Sequence, residues 1–166
     1  MLTLFGSSML SDFNQQKLLQ RLARNNIHAS HVNARYVHFV DVNEPLTEEQ
    51  QATLASLLTY GPAPKTDVVF SLSMVVAPRA GTISPWSTKA TNIANNCGLG
   101  QIMRIERGIQ YSFDGVSEAD IPNIAAHIHD RMTEMVLADV EQAEALFVQH
   151  DAKPLNEVDV LGQGRA

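Results

Sequence analysis

The chain has 166 residues, enough for one domain with a single hydrophobic core. Charged residues make up only 18%, against roughly 25% in typical soluble domains, which suits either packing against a larger partner or a compact monomer rich in neutral polar groups. The net charge of −6 argues against nucleic acid as a partner, because nucleic-acid binding needs a basic surface.

The beginning of the chain predicts two strands with a helix between them. Residues 2–5 form a short apolar run that indicates a strand. Ser11 is placed to cap a helix that ends near residue 25 and has its leucines on one side. Residues 32–42 are rich in β-branched and aromatic side chains, which favours a second strand.

A capping box predicts the start of the next helix. The side chain of Thr47 can accept a hydrogen bond from the amide of Gln50, while the side chain of Gln50 reaches back. This helix should continue to about Leu58 and stop at the Gly-Pro-Ala-Pro sequence of residues 61–64.

The remaining elements follow from alternation and capping signals. Residues 68–76 and 104–113 alternate with the period of two that a strand requires, and residues 87–96 favour a short helix between them. A helix should begin at Ser117 and run to about His129. A strand over residues 131–137 and a last helix over residues 140–149 complete the prediction.

An internal repeat relates residues 36–58 to residues 108–128. Each segment has an aromatic strand, a turn, a Thr or Ser cap before an acidic residue, and an amphipathic helix. The repeat predicts an α+β fold made of two duplicated strand-helix-strand halves, in which sheet packs against helices. Residues 1–150 would form this domain, and residues 151–166 would be the start of a linker.

Residues 78–98 form the segment with the strongest indication of a site. They contain the only tryptophan and the only cysteine, together with prolines, glycines and many hydroxyl groups. Ordered polar segments between scaffold strands often carry binding or catalytic groups. Trp86 fits either a core aromatic or an interface anchor. The candidate ligand or interface residues here are Arg79, Thr82, Ser84, Trp86 and Lys89.

Arg107 is a further candidate, because alternation places it between Ile105 and Ile109 on the apolar face of its strand. A buried arginine needs an anionic partner. That partner could be an internal acid such as Asp130 or Glu134. It could also be a ligand phosphate or a carboxylate of another protein.

No residue is assigned a catalytic role or a metal. Cys97 has no supporting histidine or acid and lies near a helix end where the dipole disfavours a thiolate, so we expect a small buried cysteine. His127 and His129 are two residues apart and do not share a helix face. Neither of the glycine-rich nucleotide-binding motifs occurs.

The expected compartment is the cytoplasm. A single cysteine cannot form an internal disulfide, and the first ten residues lack the basic region and apolar run of a signal peptide. The sequence also contains no apolar stretch long enough to span a membrane.

Several motifs resemble one enzyme family along the whole chain. The strongest is PRAGTISPWSTKATNIANNCGL at residues 78–99. The others are YVHFVDVNEPLTEEQ (36–50), LLTYGP (57–62), RIERGIQY (104–111), HDRMTE (129–134) and VDVLGQGRA (158–166). Their order and spacing are similar to those in the amino-terminal domain and linker of large-form phosphoribosylformylglycinamidine synthase, the glutamine-dependent amidotransferase of purine synthesis.

The resemblance implies a non-catalytic accessory domain, similar to a dimer of the small subunit found in split forms of that enzyme. It would bridge the glutaminase and synthetase domains of one polypeptide and help enclose the path of ammonia. The parent enzyme would use glutamine, ATP and Mg²⁺ to convert formylglycinamide ribonucleotide to its amidine, whereas this fragment would hold no cofactor and be inactive. The alternative is a stand-alone sensor domain that binds an anion at the loop of residues 79–91, which carries the cations Arg79 and Lys89.

Overall fold

An antiparallel sheet forms the centre of the protein. A computed structural model describes residues 1–63 and 70–148. Its strands are β1 (Leu2–Ser8), β2 (His31–Val42), β3 (Leu72–Pro78), β4 (Ile102–Asp114) and β5 (Glu134–Leu137). Across the sheet they are ordered β1-β2-β4-β3-β5, and each neighbouring pair is antiparallel. The two longest strands, β2 and β4, therefore lie side by side near the middle.

Hydroxyl caps define where the helices begin. The helices are α1 (Asp12–Ala23), α2 (Glu48–Leu58), α3 (Pro85–Asn96) and α4 (Ile121–Ile128). Ser11, Thr47 and Ser84 each accept a hydrogen bond from the first turn of α1, α2 and α3. Gly98 has a φ of 85° just after α3, a conformation that glycine adopts without strain and that ends a helix.

Two hydrophobic clusters lie between the helices and one face of the sheet. The first packs α1 and α4 through Leu18, Leu22, Met74, Phe113 and Ile124. The second packs α2 and α3 through Val40, Leu54, Leu58, Ala94 and Ile105. Between the two clusters, the side chains on this face are polar or aromatic: Tyr36 and His38 on β2, and Arg107 on β4.

The opposite face of the sheet is covered by the end of the described chain. Val37, Phe39 and Val75 pack there against Ala143 and Leu146. The last helix, predicted over residues 140–149, is a 3₁₀ helix over Glu141–Phe147, and residue 149 lies outside the described residues. Val140, Ala143 and Leu146 face the sheet at intervals of three, which is the period of a 3₁₀ helix rather than an α-helix.

The α+β fold class is confirmed, as is the capping box that starts α2. α3 begins at Pro85, slightly earlier than predicted. The helix expected from Ser117 is divided into a 3₁₀ turn, Glu118–Asp120, and the short α4. The duplication of the two halves stays a prediction.

Parts of the prediction fall on residues outside the described ranges. These are the beginning of the strand expected over residues 68–76, the end of the domain expected at residue 150, and the linker over residues 151–166. Within the described ranges, no helix is both long and apolar enough to cross a bilayer.

Candidate functional site

A group of aromatic side chains surrounds Arg107 between the two hydrophobic clusters. The guanidinium carbon of Arg107 lies 4.5 Å from the ring centroid of Tyr36 and 4.7 Å from that of Trp86. A cation over an aromatic face is stabilised by about 0.5–2 kcal/mol, depending on its exposure. We refer to Tyr36, His38, Tyr60, Trp86 and Arg107 as the cation–aromatic cluster.

Hydrogen bonds connect the cluster from its half-exposed cation to its buried histidine. Arg107 donates to the hydroxyl oxygen of Tyr60 over 3.3 Å, and this oxygen lies 2.7 Å from Nε2 of His38. The phenol oxygen of Tyr60 therefore joins the guanidinium of Arg107 to the imidazole of His38 in one chain of hydrogen bonds.

His38 is neutral at physiological pH. Its side chain is fully buried, and burial lowers the pKa of His38 to about 4, with the charge of Arg107 as the second cause. The main chain of Leu4, which pairs with His38 in the sheet, opposes this shift. The Trp86 ring lies 5.7 Å from the His38 ring. Because His38 stays neutral, the cluster is suited to holding the cation of Arg107 among aromatic rings rather than to transferring protons.

An apolar cavity lies next to the cluster, between α2 and α3. It encloses about 180 Å³ and is lined mainly by leucines of α2 and by alanines and an isoleucine of α3, with Ile105 of β4. Tyr60 and Trp86 form one side of it, and the exposed Lys89 also contributes to its wall. The cavity therefore combines an apolar interior with cationic and aromatic groups.

A buried ion pair holds the loop before α3 in place. Glu106 is completely buried on β4, and its carboxylate accepts hydrogen bonds from the backbone amide and the hydroxyl of Ser84. Arg104 forms an ion pair of 2.6 Å with the same carboxylate. Arg104 also donates to the carbonyls of Thr82 and Leu146. The loop is thus fixed to β4 and to the C-terminal 3₁₀ helix at once.

The hydroxyl groups of Thr82 and Ser84 in this loop already form hydrogen bonds within the protein. Thr82 donates to the carbonyl of Arg79 over 2.6 Å, and Ser84 caps α3 while donating to Glu106. The amide of Arg79 donates to the carbonyl of Thr133, near β5. The structure therefore brings Trp86, Lys89 and Arg107 to one place, whereas Thr82 and Ser84 support the loop and Arg79 lies towards β5.

Neither of the acids expected as a partner, Asp130 or Glu134, pairs with Arg107. Among the described residues, no carboxylate pairs with Arg107, and the ion pair forms between Arg104 and Glu106. Glu134 accepts a hydrogen bond from the amide of Asp130. Arg107 does lie on the face expected for it, where it contacts the rings of Tyr36 and Trp86 and donates to the phenol of Tyr60.

Four residues of the site are not among the predicted site residues: Tyr36, His38, Tyr60 and Glu106. Tyr36 and His38 are two residues apart in β2 and therefore lie on the same face, which the sequence alone could have indicated. Tyr60 lies just beyond α2, and only the fold brings it to β4. Glu106 is exceptional because a fully buried carboxylate cannot be expected from alternation alone.

Cys97 is exposed, so the expectation of a buried cysteine is wrong. The turn through Gly98 and the buried Leu99 directs the chain back to the sheet and leaves Cys97 at the end of α3, facing solvent. Over residues 1–63 and 70–148, no three His, Cys, Asp or Glu side chains are grouped as a metal site would require.

The chain was compared with models of known protein families. Residues 35–147, more than half of the chain, match the family described as formylglycinamide ribonucleotide amidotransferase N-terminal. The matched residues contain the whole cation–aromatic cluster, the Arg104–Glu106 ion pair and the loop before α3.

Proposed function

Because the chain belongs to the formylglycinamide ribonucleotide amidotransferase N-terminal family, we propose that it serves as the accessory domain of that enzyme of purine synthesis. In this role it contributes no catalytic nucleophile. It connects the glutaminase and synthetase domains of the same polypeptide and helps to enclose the path of ammonia between them. The parent enzyme supplies the ATP and Mg²⁺ chemistry in its other domains.

One observation carries this proposal: the loop before α3 is held rigidly while its neighbouring functional groups stay accessible. Glu106 and Arg104 fix the loop backbone, whereas Lys89 is exposed and Trp86 is half-buried beside an apolar cavity. Interfaces between domains favour this combination, since an ordered surface loses little entropy on docking. Tryptophan is a frequent anchor in such interfaces.

The same geometry gives less support to a stand-alone anion sensor at this loop. The hydroxyls of Thr82 and Ser84, which could have bound an anion, already donate within the protein. An anion would have to displace these hydrogen bonds or rely on separate surface cations. Docking of another domain can leave these hydrogen bonds in place.

The proposal is tested by separating ammonia production from ammonia use in the full-length enzyme. Arg79→Ala and Lys89→Ala should lower amidine formation more than glutamine hydrolysis, because ammonia is still made but poorly delivered. Arg131→Ala is the matched control, since it removes an exposed cation outside the loop. The isolated variants should unfold within about 0.5 kcal/mol of the wild type, as is usual for surface positions.

Two results would contradict the accessory role. One is full coupled activity in the Arg79→Ala and Lys89→Ala enzymes. The other is hydrolysis of glutamine or ATP by the isolated chain that disappears in Cys97→Ala, because Cys97 would then be a nucleophile.

A further inference from the structure

A second cavity lies on the other half of the helical face, between α1 and α4. Its volume is about 520 Å³, within the range of about 300–1,000 Å³ usual for small-molecule sites. It is separate from the cation–aromatic cluster, and α1 lies outside the residues that match the family model.

Three cations, two in α1 and one at its C-cap, form one rim of this cavity. Lys17, Arg21 and Arg24 follow each other at intervals of four and three residues, which places them on the same side of the helix. All three are exposed. Within the described ranges, none of them forms an ion pair with a carboxylate. This local excess of positive charge occurs in a protein whose net charge is −6.

Of these three cations, only Arg21 has a contact that explains its position structurally. Arg21 donates to the carbonyl of His127 and so satisfies one of the free carbonyls at the end of α4. No such contact engages Lys17 or Arg24 in the described structure. Cations close together on a helix repel each other, and a bound anion would remove that repulsion.

The floor of the cavity is apolar and aromatic. Leu18 and Tyr111 are buried there, and Met9, Leu10 and Ile128 also contribute to it, whereas Asn14, Gln20 and His127 are the other polar residues of the lining. Burial raises the pKa of Tyr111 to about 12, with Glu134 as a second cause, so its hydroxyl remains a neutral group. A bare inorganic anion would leave most of this floor uncovered. An anion attached to an apolar ring would fill both parts.

We propose that the cavity between α1 and α4 binds a small organic phosphate, in which a phosphate group is carried by an apolar ring. Lys17, Arg21 and Arg24 bind the phosphate, and Leu18, Tyr111 and Ile128 contact the ring. Arginine suits this role because its planar guanidinium donates two parallel hydrogen bonds to phosphate oxygens.

The test compares a complete ligand with its two halves. Phenyl phosphate, inorganic phosphate and phenol are titrated separately into the 166-residue chain, and binding is followed by calorimetry and by amide chemical shifts. Phenyl phosphate should bind about tenfold or more tightly than either half, and its affinity should fall as salt rises. The shifted amides should belong to α1 and α4.

Paired variants locate the site. Lys17→Gln combined with Arg24→Gln should weaken phenyl phosphate binding about tenfold or more, since charge-assisted hydrogen bonds are lost. Arg79→Gln combined with Arg131→Gln removes the same charge elsewhere and should change the affinity by less than about twofold. All four side chains are exposed, so circular dichroism should report unchanged folding.

Three outcomes would overturn the proposal. Inorganic phosphate could bind as tightly as phenyl phosphate, which would indicate general charge attraction. The Lys17→Gln/Arg24→Gln protein could retain full affinity. Finally, a glutamate-rich peptide could bind more tightly and displace phenyl phosphate, which would assign the cavity to a protein partner. None of these results depends on the activity of the parent enzyme, so the accessory role is tested independently.

Discussion

At the scale of single residues, His38 couples the stability of the protein to pH. Its pKa is lowered from 6.5 to about 4 in the folded protein. As pH falls below 6.5, the unfolded chain therefore takes up the proton before the folded chain does. The stabilisation from neutral His38 is complete above this range and is lost as pH falls towards 4.

The free energy of unfolding should fall by about 2 kcal/mol between pH 7 and pH 4.5 through His38 alone. Urea unfolding at a series of pH values measures this. The control is His38→Gln, which removes the titrating group and leaves the other histidines in place. If the wild type and His38→Gln lose the same stability over this interval, His38 is not the group responsible.

The two half-buried arginines of β4 should differ in how much stability is lost when each is replaced by methionine. Arg107→Met loses contacts with two aromatic rings and a phenol, so it should destabilise the protein by about 1 kcal/mol. Arg104→Met leaves the carboxylate of Glu106 buried without its cation and should destabilise it by about 3–5 kcal/mol. Chemical unfolding of both variants provides the comparison, and similar losses would show that Arg107 has an ionic partner.

At the scale of elements, the position of β4 depends on a close approach at Gly108. A Cβ atom at this residue would lie 2.8 Å from the backbone oxygen of Val76 and 3.2 Å from the ring of Phe39. Beyond this point β3 no longer pairs with β4. The hydroxyl of Thr91 in α3 accepts from the free amide of Ile105 instead. Gly108 thus marks where β4 passes from one neighbour to another.

Gly108→Ala should destabilise the protein by about 2 kcal/mol or more, because backbone atoms cannot move aside easily. Gly100→Ala is the matched control. A Cβ atom there meets nothing within 4 Å, so the change should be close to neutral. Thermal unfolding distinguishes the two. Equal melting temperatures for both variants would mean that the sheet adjusts freely at Gly108.

Elements that are determined by residues close together in the sequence could be predicted from it. The capping box of Thr47 and the alternation of β4 required no knowledge of the rest of the chain. The 3₁₀ form of Glu141–Phe147 could not be predicted in this way, because it depends on the sheet face against which Ala143 and Leu146 pack.

The candidate site was predicted less completely than the fold. Trp86, Lys89 and Arg107 were identified by residue type and position, and the structure places them together. The burial of His38 and Glu106 depends on contacts between segments far apart in sequence, such as Tyr60 with His38 and Ser84 with Glu106. Such contacts follow from tertiary packing and leave no periodic pattern.

At the scale of the whole molecule, one sheet unites all three hydrophobic clusters. β2 contributes Ala34, Val40 and Phe39 to the first, second and third clusters respectively. Melting of one cluster would therefore remove packing from a strand that the other two require. Small domains connected in this way usually unfold in a single transition.

The isolated chain should unfold cooperatively in urea. The fluorescence of Trp86 reports on the region of α2 and α3, whereas far-ultraviolet circular dichroism reports on the backbone as a whole. The two transitions should have the same midpoint. An earlier change in fluorescence would show that α2 and α3 separate from the sheet first.

Cys97 gives this molecule an internal ruler. It is the single thiol of the chain, it is exposed, and it lies at the far end of the helix that begins beside Trp86. Eleven residues of helix separate the two positions by about 16 Å. One maleimide dye on Cys97 would therefore accept excitation energy from the sole tryptophan, and docking of another domain over α3 would be visible as a change in that transfer.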